Sequence, residues 1–328
     1  MPAFYLQTQQ KHFIQLYVGF KYAYLKLSSQ NMENKELAKV QKMLHEQGYI
    51  TEDSIVMSVF LAMQLNKPLL IEGPAGVGKT EIAKVMASAL ETDLIRLQCY
   101  EGLDAPQALY EWNYQRQLLY LKMDEQSSKS VEEKEQTLFG ENFLLKRPLL
   151  QAITHHKAPV LLIDEVDRAD EEFESFLLEV LSDWQITIPE IGTIQATHKP
   201  YVVVTSNRVR EISEALRRRC MYLWITYPTF EKELNIVRGK VPQIDAKLAD
   251  QICGFMQEVR KMRLQKIPGI AETLDWAMAL TSLHIDHLDK KIVEDTLGIV
   301  LKDWQDIRHT QDSLSELFEK VGVIQKLS

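Results

Sequence analysis

The chain has 328 residues, of which 45% are hydrophobic and 26% charged, and it carries a formal net charge of −8 at pH 7. Such a chain can bury a sizeable core and divide into two domains, and no apolar run approaches the roughly 20 residues of a membrane span, so membrane insertion is not expected. The acidic balance weighs against nucleic acid or anionic lipid as a partner, since non-specific attraction to either draws on excess Lys and Arg. Cys99, Cys220 and Cys253 are odd in number and far apart, which suits a reducing, cytoplasmic setting.

Residues 1–31 are rich in Tyr, Phe and Gln and lack the continuous apolar core and small-residue cleavage site of a signal peptide. They differ in composition from the rest of the chain. Met32 opens a more regular helical pattern, so translation from Met32 would make residues 1–31 a non-native extension. From 32 to 65, Leu37, Val40, Leu44, Ile55, Val59 and Leu61 predict two short helices broken at Gln47-Gly48-Tyr49.

Pro68-Leu69-Leu70-Ile71 then predicts a buried strand, followed by Gly73-Pro74-Ala75-Gly76-Val77-Gly78-Lys79-Thr80. This stretch fits the phosphate-cradling pattern G-x-x-x-x-G-K-[ST] at every specified position. Its glycines let the backbone curl so that successive N–H groups point at phosphates, Lys79 reaches the β and γ oxygens, and the Thr80 hydroxyl ligates Mg²⁺. A helix over 81–90, opened by Glu81, turns its N-terminus to the same phosphates. Gly73 through Glu81 are therefore the candidate nucleotide-binding residues. The pattern reads phosphates and leaves the base open.

A second strand is predicted over 93–99 by its alternation. Residues 105–150 differ in kind: a helix-like stretch with Trp112, Tyr114 and Tyr120, a polar loop at 124–130, and a return to the core at Phe143-Leu144-Leu145 and Leu149-Leu150. Val160-Leu161-Leu162-Ile163 predicts a third core strand ending in Asp164 and Glu165. A helix over 171–181, a β-hairpin over 184–196 and a fourth core strand at 201–204 come next. The last ends in Thr205-Ser206-Asn207. Arg217-Arg218-Arg219 precedes another strand-like run at 221–225.

Tyr227-Pro228 marks a boundary, and everything from 229 on is helical in pattern. The expected fold is an α/β phosphate-loop domain over 32–228, with a parallel sheet covered by helices on both faces, then an all-helical lid over 229–328.

In open α/β sheets ligands collect at the C-terminal strand edge, where Asp164 and Glu165 fall. Asp164 would share the Mg²⁺ shell with Thr80, and Glu165 would orient and deprotonate an attacking water. Asn207 would hold that water or the γ-phosphate, although Asn also suits a plain strand-to-loop turn. One of Arg217, Arg218 and Arg219 would supply charge to a neighbouring subunit's site; a solvated basic turn is the plain alternative.

These segments in this order, Gly73 to Thr80, Leu161 to Glu165, Thr205 to Asn207, Ala215 to Cys220 and a helical lid, resemble the AAA+ ATPases. The finer resemblance is to the MoxR family and its CoxD-like branch, carried by Cys99-Tyr100-Glu101-Gly102-Leu103-Asp104, Glu111 to Gln117, Asp164 to Asp170 and Ala271 to Trp276. It implies ATP with Mg²⁺ as ligands and a homo-oligomeric ring, expected as a hexamer, with nucleotide at subunit interfaces. It also implies chaperone-like remodelling, activation or cofactor insertion of a protein client, with a von Willebrand factor A domain partner, and a link to maturation of molybdenum enzymes. By the family pattern the finger arginine is Arg219, with Arg218 in reserve, and insertions lie at 105–150 and 185–196. Where many relatives carry a γ-phosphate-sensing lid arginine, this chain has Ile270-Ala271-Glu272-Thr273; Arg260 or Arg263 are the candidates to replace it.

Other constellations carry less. His284 and His287 lack a third metal ligand nearby, His155-His156 reads as loop, and Trp112, Tyr114 and Tyr120 suit packing better than base stacking in so acidic a chain. Two further functions fit the same loop: a DNA-acting AAA+ motor subunit, and a nucleotide-gated binding module that hydrolyses slowly. Glu165 argues against the second.

Overall fold

The computed structural model describes residues 33–124 and 130–321; the expectations for residues 1–31 and for most of the polar run at 124–130 lie outside them. The described strands are β1 (Leu69–Glu72), β2 (Leu94–Gln98), β3 (Tyr110–Trp112), β4 (Leu144–Lys146), β5 (Val160–Asp164), β6 (Gln185–Ile188), β7 (Gly192–Gln195), β8 (Tyr201–Ser206) and β9 (Met221–Trp224). Five of them form one sheet in the order β2-β5-β8-β1-β9, with every pairing parallel. β1 lies inside the sheet, so the phosphate loop leaves from its middle rather than from an edge.

Runs such as Leu161-Leu162-Ile163 and Val202-Val203-Val204 make central strands because a parallel sheet buries both of its faces. Alternate side chains go to opposite layers. Leu70, Leu161, Ile163, Val202 and Val204 pack with Leu149 and Leu150 of helix Pro148–Ile153 and with Phe173 and Leu177 of helix Glu171–Asp183. Leu69, Ile71, Leu162 and Val203 pack with Leu44, Val59 and Ile82, from helices Glu33–Glu46, Asp53–Leu65 and Lys79–Ala89. The fold is therefore the expected α/β sheet with helices on both faces.

Helices Phe230–Lys240, Ala246–Val259, Ile270–Ser282, Lys290–Val300, Trp304–Asp312 and Leu314–Val321 come after the sheet. They enclose a core of their own around Phe255, Met256, Trp276 and Leu280. Trp276 is fully buried and donates its indole N–H to Thr296 Oγ1 at 2.9 Å. Among the described residues no helix is long and apolar enough to cross a membrane.

The insertion at 105–150 needs a correction. Trp112 sits not on a helix but on β3, which pairs antiparallel with β4 through Trp112 and Leu144. Its ring is buried against the edge of Phe139 at 5.3 Å, and three successive residues suffice for a strand when a partner 32 positions on completes the ribbon. Leu145, next to the buried Leu144, points to solvent. Tyr120 meets Phe143 edge-on at 5.5 Å, so two of the three aromatics pack inward. The hairpin expected over 184–196 is present as β6 and β7.

Candidate nucleotide-binding site

Above the C-terminal ends of β1, β5 and β8 lies a cavity of about 550 Å³. Its floor is the loop from Ala75 to Thr80, one wall carries Asp164, Glu165, Thr205 and Asn207, and the C-terminal helices close it with Ile236, Ile270 and Leu274. The remaining side is Gln47-Gly48-Tyr49-Ile50, the bend between the first two described helices.

Glycine is required where the loop leaves β1. Gly73 has φ +155°, and a Cβ there would stand 2.1 Å from the carbonyl oxygen of Ile225. Gly76 has φ +74° and abuts Gly269, whose own Cβ would lie 2.6 Å from the Gly76 oxygen. Ile270 N donates to that oxygen at 2.9 Å. The helical region thus touches the phosphate loop directly, backbone to backbone.

Lys79 opens helix Lys79–Ala89 and is only 7% exposed. Its ammonium donates to the carbonyls of Gly73 at 2.8 Å and Pro74 at 2.6 Å. Burial holds its pKa below the ordinary lysine value, while Asp167, Asp164 and Glu165 pull it the other way. Thr80 donates its hydroxyl to Asp164 Oδ1 at 3.2 Å. The Asp164 carboxylate is buried, accepts from the Thr205 hydroxyl, and takes Arg96 Nε at 3.1 Å on its other oxygen.

Glu165 follows with φ +55° and ψ +49°. Left-handed backbone is costly for a residue with a Cβ and is held only where the surroundings enforce it. Here its N–H donates to Thr205 Oγ1 at 2.9 Å. Its carboxylate accepts from Asn207 Nδ2 at 3.0 Å and Gln98 Nε2 at 3.2 Å, and pairs with Arg168 Nε at 2.8 Å. Asn207 is positioned in turn by Asp167, whose Oδ2 accepts from the N–H groups of Asn207 at 3.1 Å and Val209 at 2.8 Å. The other Asp167 oxygen is buried without a hydrogen-bond partner among the described residues.

The sequence candidates Lys79, Thr80, Asp164, Glu165 and Asn207 thus converge on one cavity, whereas the arginine triplet does not line it. Arg217 donates to the fully buried Glu72 at 2.9 Å, and Arg218 pairs with Glu214 one turn back. Arg219 ends helix Glu214–Arg219, is exposed, and has no hydrogen bond or ion pair among the described residues. Glu81 faces the rim, with Lys84 and Lys240 each 3.4 Å from its carboxylate.

Neither candidate lid arginine lines the cavity. The Arg260 side chain is only 6% exposed, with Nη1 and Nη2 donating to the two oxygens of the fully buried Glu233 at 2.6 and 2.7 Å. It also donates to Thr273 Oγ1 at 2.9 Å and to the Pro268 carbonyl at 2.8 Å. Its guanidinium is thus committed to this network and does not line the cavity. Arg263 is exposed and outside the cavity wall.

Sequence reasoning missed Arg96 and Gln98, because their role needs β2 beside β5, a non-local pairing. It also read Gln47-Gly48-Tyr49 only as a helix break. The Tyr49 phenol there is held well above its usual pKa by burial, with Glu52 and Glu81 adding to the effect.

Residues 68–220 match the family of the AAA domain (dynein-related subfamily). An uncharacterized protein of Staphylococcus haemolyticus is 25% identical over 262 residues, 76% of this chain and 92% of that one. One from Staphylococcus aureus strain bovine RF122 is 26% identical with the same coverage. Among solved structures, the Thermotoga maritima RuvB Holliday junction branch migration motor is similar at 19% identity and a TM-score of 0.44, covering 81% of this chain and 74% of that chain.

Proposed function

We propose that the AAA domain over residues 68–220 binds ATP with Mg²⁺ and hydrolyses it. The observation that carries this reading is the convergence of Lys79, Thr80, Asp164, Glu165 and Asn207, from separate chain segments, on one cavity floored by the glycine-rich loop.

Lys79 now bonds two loop carbonyls; a triphosphate offers charged oxygens at the same loop, a stronger acceptor for a buried ammonium. The N-terminus of helix Lys79–Ala89 and the loop N–H groups face that charge. A carboxylate and a hydroxyl 3.2 Å apart, Asp164 and Thr80, are the hard oxygen donors Mg²⁺ takes alongside phosphates. When bound, Mg²⁺ neutralises charge on the β and γ oxygens. Glu165, fixed by Asn207, Gln98 and Arg168, orients a water and accepts its proton as the water attacks. Gln47 to Ile50, Ile236 and Leu274 form the walls left for the base.

In this reading residues 32–228 are the nucleotide-binding domain and 229–328 a lid that follows nucleotide state. The separate helical core and the Gly76–Ile270 contact support it. The active form is a homo-oligomeric ring, with Arg219, exposed and unpaired among the described residues, completing a neighbour's site. The finer assignment is a MoxR-type ATPase of the CoxD-like branch, remodelling a protein client together with a von Willebrand factor A domain partner. Supporting it, helix Tyr114–Met123 in the 105–150 insertion exposes Tyr114 at 62%, Leu118 at 60% and Leu121 at 38%, at i, i+4 and i+7 on one apolar face suited to a protein partner.

Phosphate release from Mg-ATP by the wild type and by Lys79→Ala tests the reading. The wild type turns over and the variant does not; equal release from both removes the assignment.

A further inference from the structure

The cavity walls hold five cationic side chains: Lys79, Lys84, Arg96, Lys232 and Lys240. Four have settled partners. Lys79 bonds the loop carbonyls, Lys84 and Lys240 lie 3.4 Å from Glu81, and Lys232 is 2.7 Å from Glu52. Arg96 stands apart, because it reaches from β2 across to β5 and grips the carboxylate that would share Mg²⁺.

Its Nε and Nη2 donate to Asp164 Oδ2 at 3.1 and 2.5 Å, and Nη2 also donates to Gln98 Oε1 at 2.5 Å. The Arg96 side chain remains 53% exposed on the cavity side, so it can turn without unpacking the core. Period-2 alternation puts it there: Ile95 and Leu97 enter the core layer on one face of β2, and Arg96 and Gln98 project from the other.

We propose that Arg96 reads the terminal phosphate of a bound nucleoside triphosphate from within the same subunit, at a cavity that no lid arginine lines among the described residues. This rests on the nucleotide-site reading above. Asp164 is the anion that holds Arg96 now. With Asp164 engaged by a divalent cation, the guanidinium faces a positive charge where it had a negative one. Glu165 already accepts from Gln98 Nε2, so a terminal phosphate beside that cation would be the new anion for the guanidinium to turn to. A planar guanidinium suits two phosphate oxygens at once. A diphosphate presents no such group. On the lid side Ile270 and Ala271 line the wall, Arg260 is locked to Glu233, and Lys232 and Lys240 are paired with Glu52 and Glu81.

Equilibrium binding of a fluorescent ADP and a fluorescent non-hydrolysable ATP analogue, each with Mg²⁺, tests this on the full-length wild type, Arg96→Met, Arg96→Lys and Lys79→Ala. Removing a charge-assisted contact made only to the triphosphate weakens the ATP analogue about 10- to 100-fold. Arg96→Met shows that loss while holding ADP at or above wild-type affinity, and Arg96→Lys falls between. Lys79→Ala loses both ligands. If Arg96→Met keeps the wild-type ratio of the two affinities while Lys79→Ala loses both, the Arg96 assignment is wrong and the site stands. A wild type that binds neither ligand overturns both.

Discussion

The guanidinium of Arg260 meets both oxygens of the Glu233 carboxylate, at 2.6 and 2.7 Å, with the two side chains 6% and 0% exposed. Thr273 and Gln257 donate to the same carboxylate at 2.6 and 2.7 Å, and Arg260 stacks over Tyr227 at 5.4 Å. Removing one partner of a buried pair leaves the other uncompensated, at a cost of about 3–5 kcal/mol. Arg260→Ala is therefore expected to lower the thermal midpoint sharply, and Arg263→Ala hardly at all. Calorimetry on both checks this; equal midpoints for Arg260→Ala and wild type would contradict it.

The same network holds the Pro268-Gly269 turn against the phosphate loop, since Arg260 also donates to both carbonyls, at 2.8 and 3.2 Å. Gly269→Ala would place a methyl 2.6 Å from the Gly76 oxygen. Its backbone φ of −91° suits alanine, so the expected damage is to that contact and not to the helix it starts. Nucleotide affinity should fall by about an order of magnitude, equivalent to roughly one lost hydrogen bond. A titration giving wild-type affinity would show that the contact does not matter for binding.

Arg219 is exposed and unpaired among the described residues, and it lies outside its own subunit's cavity wall. In the ring reading, turnover per protomer rises with protein concentration and saturates. Arg219→Ala then loses on the order of 10³ or more in rate while each protomer keeps its nucleotide affinity. Turnover that stays flat across a thousandfold range of concentration would exclude a shared site.

All three thiols are held high: burial pushes Cys99, Cys220 and Cys253 up to about 12, with Asp164 adding to the effect at Cys99 and Lys67 opposing it at Cys220. At pH 8 about one thiol in 10⁴ is then ionised, so a thiol reagent labels the native protein slowly and the unfolded protein at once. Folded values above the unfolded value of about 8.5 mean that this contribution to stability is complete below pH 8.5 and is lost as pH climbs towards 12. The thermal midpoint should fall between pH 9 and 11. Rapid stoichiometric labelling of the native protein at pH 8 would refute the burial argument.

Much of the site could be read from local sequence because its chemistry is local. The loop 73–80 carries its own spacing, and Leu161-Leu162-Ile163 is buried on both faces, so Asp164 had to emerge at a sheet end. What escaped depends on which strands lie side by side. Gln98 reaches Glu165 only because Gln98 pairs with Asp164 across β2 and β5. The three arginines look equivalent in sequence, yet Arg217 is taken by Glu72, 145 positions away. Trp112 sits within an apparently helical stretch, where pairing with β4 overrides local propensity.

The central claim is that Glu165 activates the water at this cavity, and Glu165→Gln addresses it most directly. The amide keeps size and hydrogen bonding but cannot accept the proton. Phosphate release and retention of ATP are measured together on the wild type and the variant. The expected result is release lowered about 10²- to 10⁴-fold with ATP bound as tightly as in the wild type or tighter. Release at the wild-type rate would mean that the proton goes elsewhere and that this cavity is not the hydrolytic site described.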